Sequence, residues 1–512
     1  MSPALPSGRE VRRATRDASN FRSGAGVTDL LGDIYVGLFA VVMASTLIFS
    51  LTSRLAPDEG PLRQSAHGGP GLDVGWIAVL PAIAAVAAFV GLVTRLGPLS
   101  LSGAESVWWL ALPVDRRSLL GPSAYRWPAI GLVVGAVCGA AIGFAMPAGA
   151  VTTIGTAALF AALTVTLVIT AGLLQSRPGA HRALRIGADS VAAAVPLVGI
   201  TLAVLRTAPP TPNRLSIPVA VLLAIAAVVL ARRWDRRLDQ VRGVSLRHSG
   251  AVTDEALFAV LSLDTRALGR ALAVRTEPPR RARSSSLTWL RRVPEPVRPA
   301  AALATTDALL FARTPRQIAQ VLVALGLPVL GLLVPDPGPA STIVLLLLGA
   351  YVASLATAEG PRRAQMNPAL DAALPIGQRW VRLTRMVLPI VVMEFWFLAV
   401  TALLGWRFGD PGWWLLLGAL TAPAWAAAAV RGAYRPEPTF GGPLVASPMG
   451  ALPPGLASSA MKGPDLAVIG SVSIVVALIL GATHPLLVGL QVVLSLIAVL
   501  VALYQPAPKE SV

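Results

Sequence analysis

Runs of about twenty apolar residues, the length that crosses the hydrocarbon core of a bilayer, recur from residue 33 to residue 504 of this 512-residue chain. They lie at roughly 33–53, 74–94, 127–147, 150–174, 190–206 and 215–231, and again at 318–335, 339–358, 386–406, 412–430, 466–483 and 485–504. Backbone N–H and C=O groups in lipid must be satisfied within the segment, so each run is expected to be a helix. The expectation is an all-α polytopic membrane protein of about twelve spans, with the shorter runs 190–206 and 318–335 less tilted or partly re-entrant. Composition agrees: 54% of residues are apolar and 13% charged, with a mean hydropathy of +0.67. The lone cysteine, Cys138, sits in an apolar run and offers no disulfide framework. An Arg-rich leader without an early apolar core precedes Ile34, so no cleavable signal peptide is expected.

A polar, proline-bent interruption between the second and third runs, Ala111-Leu112-Pro113-Val114-Asp115-Arg116-Arg117, has an echo 262 residues later in Ala373-Leu374-Pro375-Ile376-Gly377-Gln378-Arg379. Each copy leads straight into the third run of its set. The spacing predicts a duplicated module of six plus six helices. The expected organisation is an N-terminal tail (1–32), a first half (33–231), a basic central segment (232–317), a second half (318–504) and a C-terminal tail (505–512). The motif reads either as an ordinary interfacial loop whose arginine anchors at lipid head groups or as a rigid element that passes a push from a soluble partner into the membrane.

The net charge of +17 is distributed by side. With the N-terminus inside, 38 of the 43 Lys and Arg residues fall in inside segments, and only Arg54, Arg63, Arg206, Arg214 and Arg407 fall outside. The inside excess survives removal of the long central segment, which predicts cytoplasmic termini in the plasma membrane. The basic residues then serve anionic lipid rather than nucleic acid. In the central segment, Thr253-Asp254-Glu255 is expected to open a helix bearing Leu257, Leu261, Leu268 and Leu272, residues 278–299 read as a flexible linker, and residues 300–317 form a second amphipathic stretch.

Absences narrow the chemistry. The only lysines are Lys462 and Lys509, neither in a Walker sequence, so the chain carries no P-loop of its own. His67, His181, His248 and His484 have no metal-ligand spacing, and neither His-Glu-x-x-His nor Gly-x-Ser-x-Gly occurs. No catalytic, cofactor or metal site is expected. Within the runs, Glu394 lies midway through the ninth, where a charge costs about 3 kcal/mol. It reads as protonated or hydrogen-bonded to a neighbour, or as lining a cargo path. Asp33 reads as a cap. Gly131, Gly135, Gly139 and Gly143 share one helical face and read as a packing seam, or as an interface between the halves.

The stretch Gly97-Pro98-Leu99, Glu105, Trp108, Trp109 and Ala111 through Leu120 resembles the cytoplasmic loop of type-2 ABC exporter permeases, and the whole chain resembles uncharacterised actinobacterial twelve-span permease-like proteins. Asp307 to Arg316 is similar to the connecting helix that precedes a first span. The second copy departs from the first, with Gly377-Gln378 in place of Asp115-Arg116, so the halves need not dock equally. The resemblance implies an exporter permease without catalytic activity, worked by a separate P-loop ATPase dimer that holds the ATP, with Leu112, Pro113, Val114, Asp115, Arg116, Arg117, Leu374, Pro375, Ile376 and Arg379 in the ATPase-coupling loops. Alternatives are an ion-coupled secondary transporter with Glu394 as coupling residue, although its expected Gly-x-x-x-Asp-Arg-x-Gly-Arg loop is missing, and a non-transporting scaffold or immunity protein.

Overall fold

A computed structural model describes residues 7–23, 72–146, 148–177, 180–261, 271–272, 287–333, 339–366, 368–435, 445–447, 450–452 and 461–504. The expected first span (33–53), with Asp33, and the tail 505–512 lie outside them, as do 278–286 of the expected linker and Leu268 of the expected helix before it. Among the described residues the regular structure is helical apart from one antiparallel hairpin, Val445–Ser447 with Gly450–Leu452. It forms two compact units, Met1–Arg275 and Thr276–Val512.

In the first unit the helices are α1 (Gly8–Ser23), α2 (Val74–Leu96), α3 (Gly103–Trp108), α4 (Arg116–Ala124), α5 (Arg126–Ala145), α6 (Ala150–Gln175), α7 (Ala180–Leu205), α8 (Ser216–Asp235) and α9 (Gly243–Leu261). The second unit contains α10 (Arg298–Ala312), α11 (Pro315–Leu333), α12 (Pro339–Thr357), α13 (Glu359–Met366), α14 (Pro368–Ala372), α15 (Gln378–Phe408), α16 (Pro411–Ala433), α17 (Pro464–Leu480) and α18 (Pro485–Leu503). Among the described residues ten helices are long and apolar enough to cross a membrane, as in a multi-pass membrane protein, and the shorter α17 is the eleventh apolar helix.

The units use one packing scheme internally. Counting spans from the expected first of each half, the second packs on the third, fourth and fifth, and the fourth packs on the third, fifth and sixth. These are α2, α5, α6, α7 and α8 in the first unit and α12, α15, α16, α17 and α18 in the second. The core of the second unit is aromatic, with Trp396, Phe397, Trp414 and Trp425 buried among α12, α15, α16 and α17. Polar side chains tie its last helices together: Trp425 donates to Ser471 Oγ (3.1 Å), and buried Gln491 donates to Gly470 O (2.9 Å) and Ser495 Oγ (3.0 Å). Such bonds are the usual glue between membrane helices, where no hydrophobic force drives association.

Three expectations need correction. Helix α7 starts at Ala180, ten residues before the expected span, and helix α15 starts at Gln378 rather than near 386. The arginines that marked these stretches as loop instead lie on helical extensions. Thr253-Asp254-Glu255 lies inside α9, which begins at Gly243; Asp254 accepts from Gly103 N (3.1 Å), and Leu257 is exposed.

Candidate functional site

In the first unit the Ala-Leu-Pro motif is a hinge between two short helices. Ser102 and Glu105 form a reciprocal capping box that starts α3. A single tight turn, Trp109–Ala111, ends it, and Pro113 lies in the extended break. Asp115 then caps α4, accepting from Arg117 N (3.1 Å) and Ser118 N (3.0 Å). The Ser118 N–H bond is the main reason its carboxyl titrates below the usual range and stays charged at neutral pH. Arg117 reaches Asp235 at the end of α8, its Nε 2.8 Å from Oδ2, so this arginine ties the motif to the end of an apolar helix.

Other contacts brace the same region. Arg12 on α1 donates to Leu119 O (2.6 Å) and Ser123 Oγ (3.0 Å) and lies over the Trp109 ring. Gln175, at the end of α6, pairs with both the N–H and C=O of Leu99, and Ser249 of α9 donates to the same carbonyl. Below lies an apolar core containing Leu99, Leu101, Trp109, Leu119, Leu120 and Trp234. Three apolar side chains face outward beside the exposed Asp115 and Arg117: Trp108 is 74% exposed, and Val107 and Leu112 are exposed next to it.

The second copy is built differently. Leu374, Pro375 and Ile376 form a bend after α14, and Gly377 leads into α15 without a side-chain cap. Arg379 is exposed on the first turn with its guanidinium 4.3 Å above the Tyr504 ring. Deeper, Arg385 donates to both oxygens of Asp307 on α10 (2.9 and 3.1 Å) and to Asp371 on α14 (2.6 Å), and the Tyr434 hydroxyl donates to Asp371 (2.7 Å). Burial pushes the Asp307 carboxyl up against the pull of Arg385, and it pushes the Tyr434 hydroxyl up, so the latter remains a donor. Gly360 on α13 is part of this joint, since a Cβ there would lie 2.4 Å from Asp307 Oδ1.

Thus Arg117 and Arg379 are each the second residue of a helix, α4 and α15, and have different partners. Asp307, Asp371, Arg385, Tyr434 and Asp235 hold the two loops and were not singled out from sequence as a set. One signal was present: Arg379, Arg382 and Arg385 recur every three residues, a helical spacing.

The glycine face of α5 meets α6 of the same unit. A Cβ on Gly135 or Gly139 would come within 2.4 Å of Phe160 O or 2.3 Å of Thr156 O, and one on Gly143 within 2.7 Å of Thr153; Gly131 faces the side chains of Phe89, Thr164 and Val168. Glu394 lies midway along α15, half-buried between buried Met393 and exposed Phe395, with no hydrogen bond or ion pair to a described residue. Among the described residues no three His, Cys, Asp or Glu side chains gather as metal ligands.

The chain belongs to DUF6297, a family of unknown function, whose match spans residues 71–443 and so includes both Ala-Leu-Pro copies. No curated protein and no solved structure matches it.

Proposed function

We propose that the chain is the permease of an ABC-type exporter in the plasma membrane, two six-helix halves fused in one polypeptide, with both termini cytoplasmic and a separate P-loop ATPase dimer supplying ATP hydrolysis. The carrying observation is that in each unit the connection between the second and third spans includes short helices joined by charge to neighbouring helices: in the first unit to the end of the sixth span, and in the second to the third span, which also holds the non-spanning α10. In the first unit the fastening is Arg117 to Asp235, and in the second it is Arg385 to Asp307 and Asp371. An element so held moves with the spans, as a coupling loop must. Duplication is supported by the 262-residue repeat of the motif, which recurs in the helices that follow: the 30-residue stretch Arg116–Ala145 and the 31-residue α15 begin the same distance apart. The shared packing scheme within the units supports it as well. The exposed trio Val107, Trp108 and Leu112 offers an apolar surface for a soluble partner, of the aromatic-anchored kind that carries binding energy.

The test uses the full chain in nanodiscs with a span-free P-loop ATPase encoded in an adjacent reading frame. Wild type should bind this subunit and stimulate its ATP hydrolysis, and Trp108→Glu should weaken the stimulation about tenfold or more. Stimulation unaltered by Trp108→Glu removes this loop from the docking surface, and absence of binding to any such ATPase removes the proposal.

The unpartnered Glu394 favours one other reading, an ion-coupled transporter. The two diverge on Glu394→Gln: ATP-driven flux within about twofold of wild type fits the exporter, whereas proton-driven flux abolished by this neutral isostere selects the alternative.

A further inference from the structure

A cleft of about 490 Å³ opens at the foot of α15, walled by Gln378, Arg379, Trp380 and Arg382 on that helix and by Leu503 and Tyr504 at the end of α18. Its volume is within the range of small-ligand sites. Its chemistry is cationic and aromatic. The guanidinium of Arg379 lies over the Tyr504 ring, its Cζ 4.3 Å from the ring centroid, a contact that uses the cation's charge and none of its N–H donors. No described carboxylate pairs with it. One turn deeper, Arg382 is 9% exposed, donates to Leu503 O (3.2 Å) and lies over Tyr434. Asp307 and Asp371, the buried acids of this face, are already engaged by Arg385 and Tyr434. Two arginines of one helix therefore line the cleft, and among the described residues Arg379 has no carboxylate partner.

Its depth relative to a bilayer follows from helix length. At 1.5 Å per residue the 31 residues of α15 extend about 46 Å, well beyond the roughly 30 Å hydrocarbon core. The first two turns, with Arg379 and Arg382, then sit at head-group level. Trp380 and Tyr504, 65% and 60% exposed at the rim, are the residue types that settle in that layer.

We propose that this cleft binds a phosphate oxyanion, with the Arg379 fork as its donor. A lipid phosphodiester and a free phosphate share this chemistry, and the site is independent of how transport is energised.

The delipidated full chain in detergent can be titrated with phosphatidylglycerol or phosphatidylcholine and bound lipid counted by native mass spectrometry. Inorganic phosphate is tested separately through the thermal unfolding midpoint. Wild type should retain phosphatidylglycerol about fivefold better than phosphatidylcholine, and Arg379→Gln should lose most of that preference. Arg379→Lys, a charge without the fork, should be intermediate. Arg363→Gln, which removes an exposed arginine paired with Glu359 on α13, should behave as wild type. Arg379 is exposed, so its replacement leaves the fold intact, which the unchanged midpoint without ligand verifies. Stabilisation by phosphate alone that vanishes in Arg379→Gln assigns the site to a free anion. A lipid preference that is the same in wild type and Arg379→Gln, or no response to either anion source, overturns the proposal.

Discussion

Gly135→Leu should yield almost no monodisperse protein after detergent extraction. At Gly135 the backbones of α5 and α6 approach so closely that a Cβ would lie 2.4 Å from Phe160 O and 2.7 Å from Ala161 Cα. The obstacle is backbone, so no rotamer change relieves it and the helices must separate. Separation would also lift Gly139 and Gly143 off Thr156 and Thr153, undoing a contact that runs along most of α5. Overpacking a core costs about 1–3 kcal/mol where side chains can yield, and more is expected here. Gly187→Leu, on α7 with nothing within 4 Å of the new Cβ, is the matched control and should behave nearly as wild type. Fluorescence-detected size exclusion of both variants reads the difference. A sharp wild-type peak and unchanged unfolding midpoint for Gly135→Leu would show that α5 and α6 do not pack along this seam.

Arg385→Met should lower the unfolding midpoint by about 10 °C, because it leaves Asp307 and Asp371 buried without their cation, a loss of about 3–5 kcal/mol for a broken buried pair. Among the described residues Asp307, 4% exposed, has no cation but Arg385, whereas Asp371 keeps the Tyr434 hydroxyl. Replacing all three charges, Arg385→Met with Asp307→Leu and Asp371→Asn, should recover most of the loss, since the penalty comes from the unpaired carboxylates. The pH dependence has a definite sign. A carboxyl whose folded-state pKa is raised by burial favours folding below its unfolded pKa and loses that contribution as pH rises through the folded value. Asp307 is such a group, and removal of Arg385 raises it further. The deficit of Arg385→Met should therefore be larger near pH 7.5 than near pH 5. A deficit independent of pH would place its origin in lost side-chain packing.

Most of the span pattern was legible in the sequence because hydropathy is local: eleven of the twelve expected spans coincide with helices, and the twelfth, 33–53, lies outside the described residues. The glycine register was legible too, since four-residue spacing puts Gly131, Gly135, Gly139 and Gly143 on one face whatever surrounds them. What that face meets was not, because Phe160 and Thr156 carry no sign of a partner in their own sequence. The loop residues misled in a regular way. Arg117 and Arg379 look equivalent in the repeated motif, yet one pairs with Asp235 and the other stacks on Tyr504. Arg385 reads as one more positive charge of a basic loop and is instead nearly buried between two aspartates.

By itself, then, the sequence determined the helical membrane class, because lipid allows an apolar run few conformations and hydropathy is a property of each segment alone. Only the tertiary structure decided which charges are spent on bracing and which remain available. Arg117 finds Asp235 118 residues away and Arg385 finds Asp307 78 residues away. Ion pairing depends on distance in space, and the packing of helices sets that distance.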